Sequence, residues 1–217
     1  MNSTLTQRDL TVYLIDDDEA VLNSQLELLT AAGISVQSYR SAESFLSALK
    51  PESAGCVITD LKMSGMSGLE LQRKLVASNS PLPLIVVSGH ASVPTTVELM
   101  ENGAITLLQK PYDAHEFLDA VQRGLDLFVE NRVRRAELNS IYRRLDSLSK
   151  AEMNVLELMI AGRPNKVIST ELEISMRTVD RRRSIVLEKM RVDSAPELAR
   201  LVTLVEASPR HCHVLPG

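Results

Sequence analysis

The chain has 217 residues, of which 44% are hydrophobic and 24% are charged, a composition that supports globular cores and excludes a disordered protein. No apolar run reaches the roughly 20 residues of a membrane span, and Met1–Leu10 lacks the apolar segment of a signal peptide. The two cysteines, Cys56 and Cys212, exclude a disulfide-rich secreted scaffold and favour a cytoplasmic location.

The charge is distributed unevenly along the chain. Residues 1–125 carry 8 Lys+Arg and 15 Asp+Glu, a net charge of −7, whereas residues 126–217 carry 16 and 13, a net charge of +3. The length favours two domains. An acidic domain followed by a basic one indicates two functions, the second of which is directed at a polyanion.

Strand-like and helix-like segments alternate through the first half of the chain. Five strands are predicted, at Thr11–Ile15, Ile34–Tyr39, Cys56–Thr59, Leu84–Val87 and Ala104–Leu108, and all except the second are short, mainly apolar runs. Each strand is followed by a helical pattern, at Asp18–Ala32, Ser41–Leu49, Gly68–Ala77, Val93–Glu101, and from the capping box of Asp113 and Glu116 onwards. Because continuous apolar strands are typical of parallel sheets covered on both faces, residues 1–128 are predicted to form an α/β domain with a doubly wound, five-stranded parallel sheet.

The second half of the chain contains only helical patterns. We predict a partly helical linker over residues 129–147, whose arginines indicate a solvated face, and a tail over residues 209–217. Between them, residues 148–208 are predicted to be a small all-α domain. Its four helices are expected at Ala151–Ala161, Asn165–Leu172, Met176–Met190 and Pro196–Val205.

Polar side chains follow four of the predicted strands. Asp16 and Asp17 follow the first strand, Asp60 the third, Ser88 the fourth and Lys110 the fifth. Parallel strands end at one edge of a doubly wound sheet, and ligands bind at that edge. Clustered carboxylates need a cation, and Mg²⁺ takes one or two carboxylates together with phosphate oxygens. With Lys110 and Ser88 to stabilise phosphoryl oxygens, Asp60 is predicted to be a nucleophile in phosphoryl transfer.

These motifs resemble the receiver domain of two-component response regulators. The resemblance rests on Val12–Asp17, on the loop at 59–68, on Ser88-Gly89-His90 and on Lys110-Pro111. It implies a flavodoxin-like fold and a cis peptide bond between Lys110 and Pro111.

The resemblance also implies roles for individual residues. Asp60 would accept phosphate from a cognate histidine kinase, and Ser88 would move to contact the phosphoryl group. Mg²⁺ would be bound by Asp16, Asp17 and Asp60 and by the carbonyl of Lys62.

Two positions depart from the family pattern. Ser64 stands where the family usually has proline, and we expect little consequence. Leu107 stands three residues before the lysine, where the family has the aromatic residue that swings inwards on activation. The usual inward swing of an aromatic ring therefore cannot occur here, and the way in which phosphorylation is coupled to output is left open. Tyr112, which follows Pro111, is not assigned the role of that ring.

The second half resembles the helix-turn-helix of LuxR-type regulators. The match begins at Leu148, includes Asn165–Ile168 and extends to Met190; with the receiver ahead of it, the chain resembles the FixJ/NarL branch of response regulators. Residues 175–191 carry six Arg+Lys and two acids. The apolar stripe of Val179, Val186 and Met190 favours a packed recognition helix over a merely solvated basic helix.

The resemblance places base-reading side chains at Asp180, Arg181 and Ser184. Arginine can pair with guanine, and aspartate can accept a hydrogen bond from cytosine. Arg182 lies on the apolar stripe, so its stem is expected to pack while its head reaches a phosphate. The other predicted DNA-binding residues are Lys166, Thr178, Arg183 and Lys189.

The sequence therefore predicts a cytoplasmic transcription regulator, not an enzyme, that is phosphorylated on Asp60 with Mg²⁺ and binds double-stranded DNA. A homodimer is expected through the fourth helix, fifth strand and fifth helix, and RNA polymerase is left open as a further partner.

One alternative, motivated by Leu107, is a DNA-binding regulator whose receiver is a phosphorylation-independent scaffold. A phosphatase is disfavoured because Lys62 occupies the place of its second acid, and sigma-factor-like polymerase binding because no second promoter-reading region is visible.

Overall fold

The computed structural model describes residues 9–207, which divide into two compact units, one ending at Arg132 and the other beginning at Val133. The predicted tail at 209–217 lies outside the described residues. Among the helices described, none combines the length and apolar character needed to cross a membrane.

The first unit alternates strands with helices, as predicted. Its strands are β1 (Thr11–Ile15), β2 (Ser35–Tyr39), β3 (Gly55–Asp60), β4 (Leu84–Ser88) and β5 (Thr106–Gln109). Its helices are α1 (Glu19–Ala31), α2 (Ala42–Ala48), α3 (Gly68–Ala77), α4 (Val93–Glu101) and the start of α5 (Ala114–Asp146).

The five strands form one parallel sheet in the order β2-β1-β3-β4-β5. This order confirms the predicted doubly wound sheet, with the switch in winding direction between β1 and β3. The interior strands β3 and β4 are buried along their whole length, as their continuous apolar runs indicated. Consequently the residues that end these strands lie at the centre of the carboxyl edge.

Strand β3 is longer than predicted because it begins at Gly55 and ends on Asp60. A Cβ atom on Gly55 would lie 1.8 Å from the carbonyl oxygen of Thr11, so only glycine permits this pairing with β1. Asp60 is thus held by the sheet itself rather than by a loop.

The helix that begins at Ala114 continues to Asp146, so the segment predicted to be only partly helical is helical throughout these residues. Ile141 and Leu145, near the end of this helix, are buried in the core of the second unit. This unit also contains α6 (Lys150–Ile160), α7 (Asn165–Glu171), α8 (Met176–Met190) and α9 (Ala195–Glu206). Its core includes the predicted stripe of α8, formed by Val179, Val186 and Met190.

Candidate functional site

The predicted polar residues meet at the carboxyl edge of the sheet. Asp60 and Ser88 are the last residues of β3 and β4, while Asp16 and Lys110 directly follow β1 and β5. Asp16, Asp60 and Ser88 are buried, with 3%, 9% and 2% of their surface exposed. Buried polar groups require partners, which Lys110 and nearby backbone N–H groups supply here.

Lys110 joins the two buried acids. Its Nζ donates to Asp60 Oδ1 at 2.7 Å and to Asp16 Oδ2 at 3.1 Å. The second oxygen of each acid accepts a backbone N–H: Asp60 Oδ2 from Lys62 at 2.6 Å, and Asp16 Oδ1 from Asp18 at 2.9 Å. The carboxylates are therefore held in fixed orientations around one ammonium group.

Burial and neighbouring groups act in opposite directions on the pKa values of Asp16 and Lys110. Burial raises the pKa of Asp16 above its usual value, although the N–H of Asp18 and the ammonium of Lys110 act in the opposite direction. Burial alone would lower the pKa of Lys110, but its hydrogen bonds to Asp60 and Asp16 outweigh burial and raise it. Lys110 is consequently a permanent positive charge beside Asp60.

A close backbone approach completes one side of this site. A Cβ atom on Gly68, the first residue of α3, would lie 2.5 Å from the carbonyl oxygen of Asp60. Glycine therefore allows α3 to begin directly beside the end of β3. On the other side, the hydroxyl of Ser88 accepts the N–H of His90 at 3.1 Å.

Two further carboxylates hold the β3–α3 loop, and sequence reasoning missed both contacts. Asp17 Oδ2 accepts the N–H of Ser64 at 2.7 Å, and Glu43 Oε1 accepts the N–H of Met66 at 3.0 Å. The backbone and then the hydroxyl of Ser64 hold the pKa of Asp17 below its usual range. The sequence signal for the contact between Asp17 and Ser64 was a residue other than proline at position 64, because every other residue type has a backbone N–H.

The donor set fits Mg²⁺. Nowhere in residues 9–207 do three or more acidic, imidazole or thiol side chains form a ready-made metal cage. Mg²⁺ does not need one, because it binds through one or two carboxylates and retains several waters. Asp16, Asp17 and Asp60 offer carboxylate oxygens. Lys62, whose carbonyl is the fourth predicted ligand, lies beside Asp60, since its N–H bonds that carboxylate.

The structure also locates the residues that bear on output coupling. The Lys110–Pro111 peptide bond is cis, as the resemblance implied. Leu107 lies in β5 opposite Val86 and is partly buried against the core. The ring of Tyr112 stacks on Phe117, with ring centroids 5.4 Å apart, and its hydroxyl accepts a hydrogen bond from Gln25 in α1 at 2.7 Å.

The predicted DNA-binding residues lie on α7 and α8 of the second unit. Ser175 caps α8 by accepting the N–H of Thr178, and its hydroxyl lies 2.8 Å from the Thr178 hydroxyl. Arg181, Ser184 and Lys166 are exposed, whereas Arg182 and Arg183 are partly buried. The half-buried state of Arg182 is consistent with the packed stem expected for it.

Two of these residues have partners inside the unit that were not foreseen. Asp180 Oδ1 accepts a hydrogen bond from Asn165 Nδ2 at 2.7 Å, which joins α8 to the start of α7. Lys189 Nζ donates to Glu152 Oε2 at 2.6 Å and to the carbonyl of Ser147 at 3.1 Å. Lys189 therefore anchors the start of α6, and its charge is paired before any nucleic acid approaches.

Comparison with known proteins agrees with both units. Residues 12–122 match the response regulator receiver domain, and residues 146–202 match the luxR family of bacterial regulatory proteins. The transcriptional regulatory protein FixJ of Azorhizobium caulinodans is 40% identical over 200 residues, covering 92% of this chain and 95% of FixJ. The response regulator protein TodT of Pseudomonas putida is 34% identical over 204 residues, covering 94% of this chain and 90% of TodT.

Solved structures show the same relationship. The response regulator StyR matches with a TM-score of 0.77 and 38% identity, covering 89% of this chain and 98% of StyR. Full-length FixJ from B. japonicum matches with a TM-score of 0.57 and 36% identity, covering 93% of this chain and 99% of FixJ.

The chain therefore belongs to the response regulators that combine a receiver domain with a LuxR-family DNA-binding domain. It is a two-component transcription regulator similar to FixJ and TodT, and not an enzyme. A receiver implies a histidine kinase as partner, and a LuxR-family domain implies DNA as ligand.

Proposed function

We propose that Asp60 is the phosphorylated residue of this regulator and that its phosphorylation controls DNA binding. The observation that carries the proposal is the contact between Asp60 Oδ1 and Lys110 Nζ at 2.7 Å, on a carboxylate that ends an interior strand. Positive charge fixed beside the nucleophile stabilises the phosphoryl oxygens in the transition state.

In the proposed reaction, a carboxylate oxygen of Asp60 forms a bond to phosphorus while the bond from phosphorus to the kinase histidine nitrogen breaks. Lys110 neutralises charge on the phosphoryl oxygens, and the hydroxyl of Ser88, at the end of the neighbouring strand, donates to one of them. Asp16, Asp17, Asp60 and the carbonyl of Lys62 would hold Mg²⁺, which would supply further positive charge to the same oxygens.

For the output unit, we propose that Arg181, Asp180 and Ser184 contact base edges, while Lys166, Thr178, Arg182 and Arg183 contact the DNA backbone. Exposure of Arg181 and Lys166 supports these roles. A carboxylate accepts on both oxygens, so Asp180 can keep the bond from Asn165 on Oδ1 while Oδ2 accepts from a base. Lys189 is the weakest member of the predicted set, since Glu152 already pairs its charge.

We further propose a cytoplasmic regulator that dimerises through the face formed by α4, β5 and the start of α5. Helix α4 leaves Val93, Val97 and Met100 exposed at 77%, 48% and 45%. These positions are four and three residues apart and share one face of the helix.

The rival, a phosphorylation-independent scaffold, is favoured by Leu107, because this position of β5 carries no aromatic ring to change orientation.

The chemical step is tested by incubating the full chain with acetyl phosphate and Mg²⁺ and measuring its intact mass. We expect one added phosphoryl group on the wild type and on Asp119→Asn, which changes an exposed acid of α5, and none on Asp60→Asn. Phosphorylated Asp60→Asn would refute the assignment of the acceptor.

A further inference from the structure

Ser64 lies in the β3–α3 loop at a position where the sequence departs from the proline usual in receivers. Proline has no backbone N–H, whereas Ser64 uses its N–H to contact Asp17 Oδ2 at 2.7 Å. The two residues are 47 positions apart in the chain, so the fold alone brings them together. A chain with proline at this position could not make the contact.

The same loop has a second anchor that serves as an internal comparison. The N–H of Met66 donates to Glu43 Oε1, in the first turn of α2, at 3.0 Å. Gly65, between the two anchored residues, has a φ of 104°, which favours glycine. The loop is thus held by two carboxylates, of which only Asp17 belongs to the phosphoacceptor site.

We propose that the backbone N–H of Ser64 is a positioning group that fixes the orientation of the Asp17 carboxylate, which would bind Mg²⁺. This inference rests on the proposed function, since it takes Asp17 as a metal ligand. Carboxylates that bind metals are commonly oriented by hydrogen bonds from outer groups, and loss of such a partner typically weakens metal affinity about 10–100-fold. In this chain the outer group is the N–H of Ser64, the residue that stands in place of the usual proline.

The test is a calorimetric titration of the metal-free full chain with MgCl₂. Ser64→Pro removes the N–H and introduces the residue usual for receivers, so folding is expected to be preserved. We expect Ser64→Pro to weaken Mg²⁺ binding by at least about tenfold. Ser64→Ala keeps the N–H and loses only the hydroxyl, which also hydrogen-bonds Asp17, so it should bind Mg²⁺ more tightly than Ser64→Pro. An equal loss in both variants would assign the effect to the hydroxyl and overturn the inference.

Glu43→Ala is the matched control, because it releases the same loop at Met66 without touching Asp17. It should bind Mg²⁺ as tightly as the wild type. Unchanged binding by Ser64→Pro would overturn the inference, as would an equal loss in Glu43→Ala, which would assign the effect to general loosening of the loop. If the wild type bound no Mg²⁺, or Asp17→Asn bound it as well as the wild type, the proposed metal site itself would fail.

Discussion

At the scale of single residues, Lys110 and Lys189 have comparable local roles. Each uses one ammonium group to join two segments: Lys110 bridges Asp16 and Asp60, and Lys189 bridges a loop carbonyl and Glu152. An ammonium group has three donors, so one side chain satisfies both acceptors. Removing Lys110 would leave Asp60 Oδ1 and Asp16 Oδ2, on two buried residues, without their ammonium partner, at a cost of roughly 1–3 kcal/mol. Removing Lys189 should cost less, because Glu152 Oε2 also accepts the N–H of Ser149. Both lysines therefore stabilise the fold.

The pair of Lys189 and Glu152 predicts a pH dependence. The hydrogen bond from Lys189 lowers the pKa of Glu152 from its ordinary value of 4.5. A carboxyl with a depressed folded pKa contributes stability above its unfolded pKa and loses that contribution as the pH falls through the folded pKa. At neutral pH, Glu152→Gln should therefore lower the free energy of local unfolding of α6 by about 1 kcal/mol.

Protection factors of α6 amides, measured by hydrogen exchange, would show this change. The difference between Glu152→Gln and the wild type should shrink as the pH falls below 4.5 and disappear once the pH is below the lowered pKa of folded Glu152, where the wild-type side chain is neutral as well. Glu157→Gln, the same change further along α6, provides the control. A deficit that persists unchanged in acid would show that the charge of Glu152 does not stabilise α6.

At the scale of elements, α8 separates base contacts from backbone contacts. Arg181 is exposed and lies two residues beyond buried Val179, on a different face of the helix. Lys166 is exposed near the start of α7, where a cation meets phosphates. Arg181→Ala should cost about 1–3 kcal/mol on the preferred site and relax discrimination at one base pair.

Lys166→Ala should instead weaken preferred and random DNA alike and lower the salt slope by about one unit per monomer. Titrations on both DNAs at several salt concentrations measure the effects of Arg181→Ala and Lys166→Ala. Lys189→Ala is the control, and it should leave the salt slope of DNA affinity unchanged because the charge of Lys189 is already paired. If Arg181→Ala weakened both DNAs equally, the proposed base contact would be wrong.

The turn between α7 and α8 contains a strained residue. Glu173 has a φ of 52°, a left-handed conformation that costs a residue with a side chain roughly 1 kcal/mol. Glu173→Gly should therefore raise the free energy of unfolding of this unit, by up to about 1 kcal/mol. Glu157→Gly, the same substitution inside α6, should lower it by about 1 kcal/mol. Thermal unfolding would refute this account of the turn if both variants were destabilised.

The parts of this fold that depend on local chemistry could be predicted from the sequence. The capping boxes at Ser67 and Ser149 and the cap at Ser41 act within four residues, so the starts of α3, α6 and α2 follow from short motifs. The cluster at the sheet edge was also predictable, because strand ends in a parallel sheet converge regardless of loop geometry. Helix α5 was underestimated although residues 125–146 contain neither glycine nor proline.

Contacts between side chains and distant backbone groups were not predictable in the same way. Ser64 meets Asp17, and Asn165 meets Asp180, only through the packing of separate elements. Neither pair follows a helical or strand period, and a shift of one residue in a loop would abolish it. Ser64 was accordingly expected to have little consequence, whereas the structure gives its N–H a specific acceptor.

At the scale of the whole molecule, the exposed stripe of α4 predicts the site of dimerisation. Burial of Val93, Val97 and Met100 against a second copy would remove apolar surface from water. We expect beryllofluoride with Mg²⁺ to convert the wild type from monomer to dimer in light scattering. Val97→Asp should remain monomeric, because dimerisation would bury an unpaired charge.

Val76→Asp is the matched control, since Val76 is 54% exposed on α3, outside the proposed face. This variant should dimerise like the wild type. If Val97→Asp formed dimers at the same protein concentration as the wild type, the dimer interface would lie elsewhere.

The central claim is that phosphorylation of Asp60 controls DNA binding despite Leu107. The most direct measurement is DNA affinity, on a site selected from random sequences, with and without phosphorylation by acetyl phosphate and Mg²⁺. For the wild type we expect phosphorylation to increase the affinity about 5–150-fold, the usual range of coupling between two sites. We expect no increase for Asp60→Asn. Equal affinities of the phosphorylated and unphosphorylated wild type would contradict the account and establish the receiver as a scaffold.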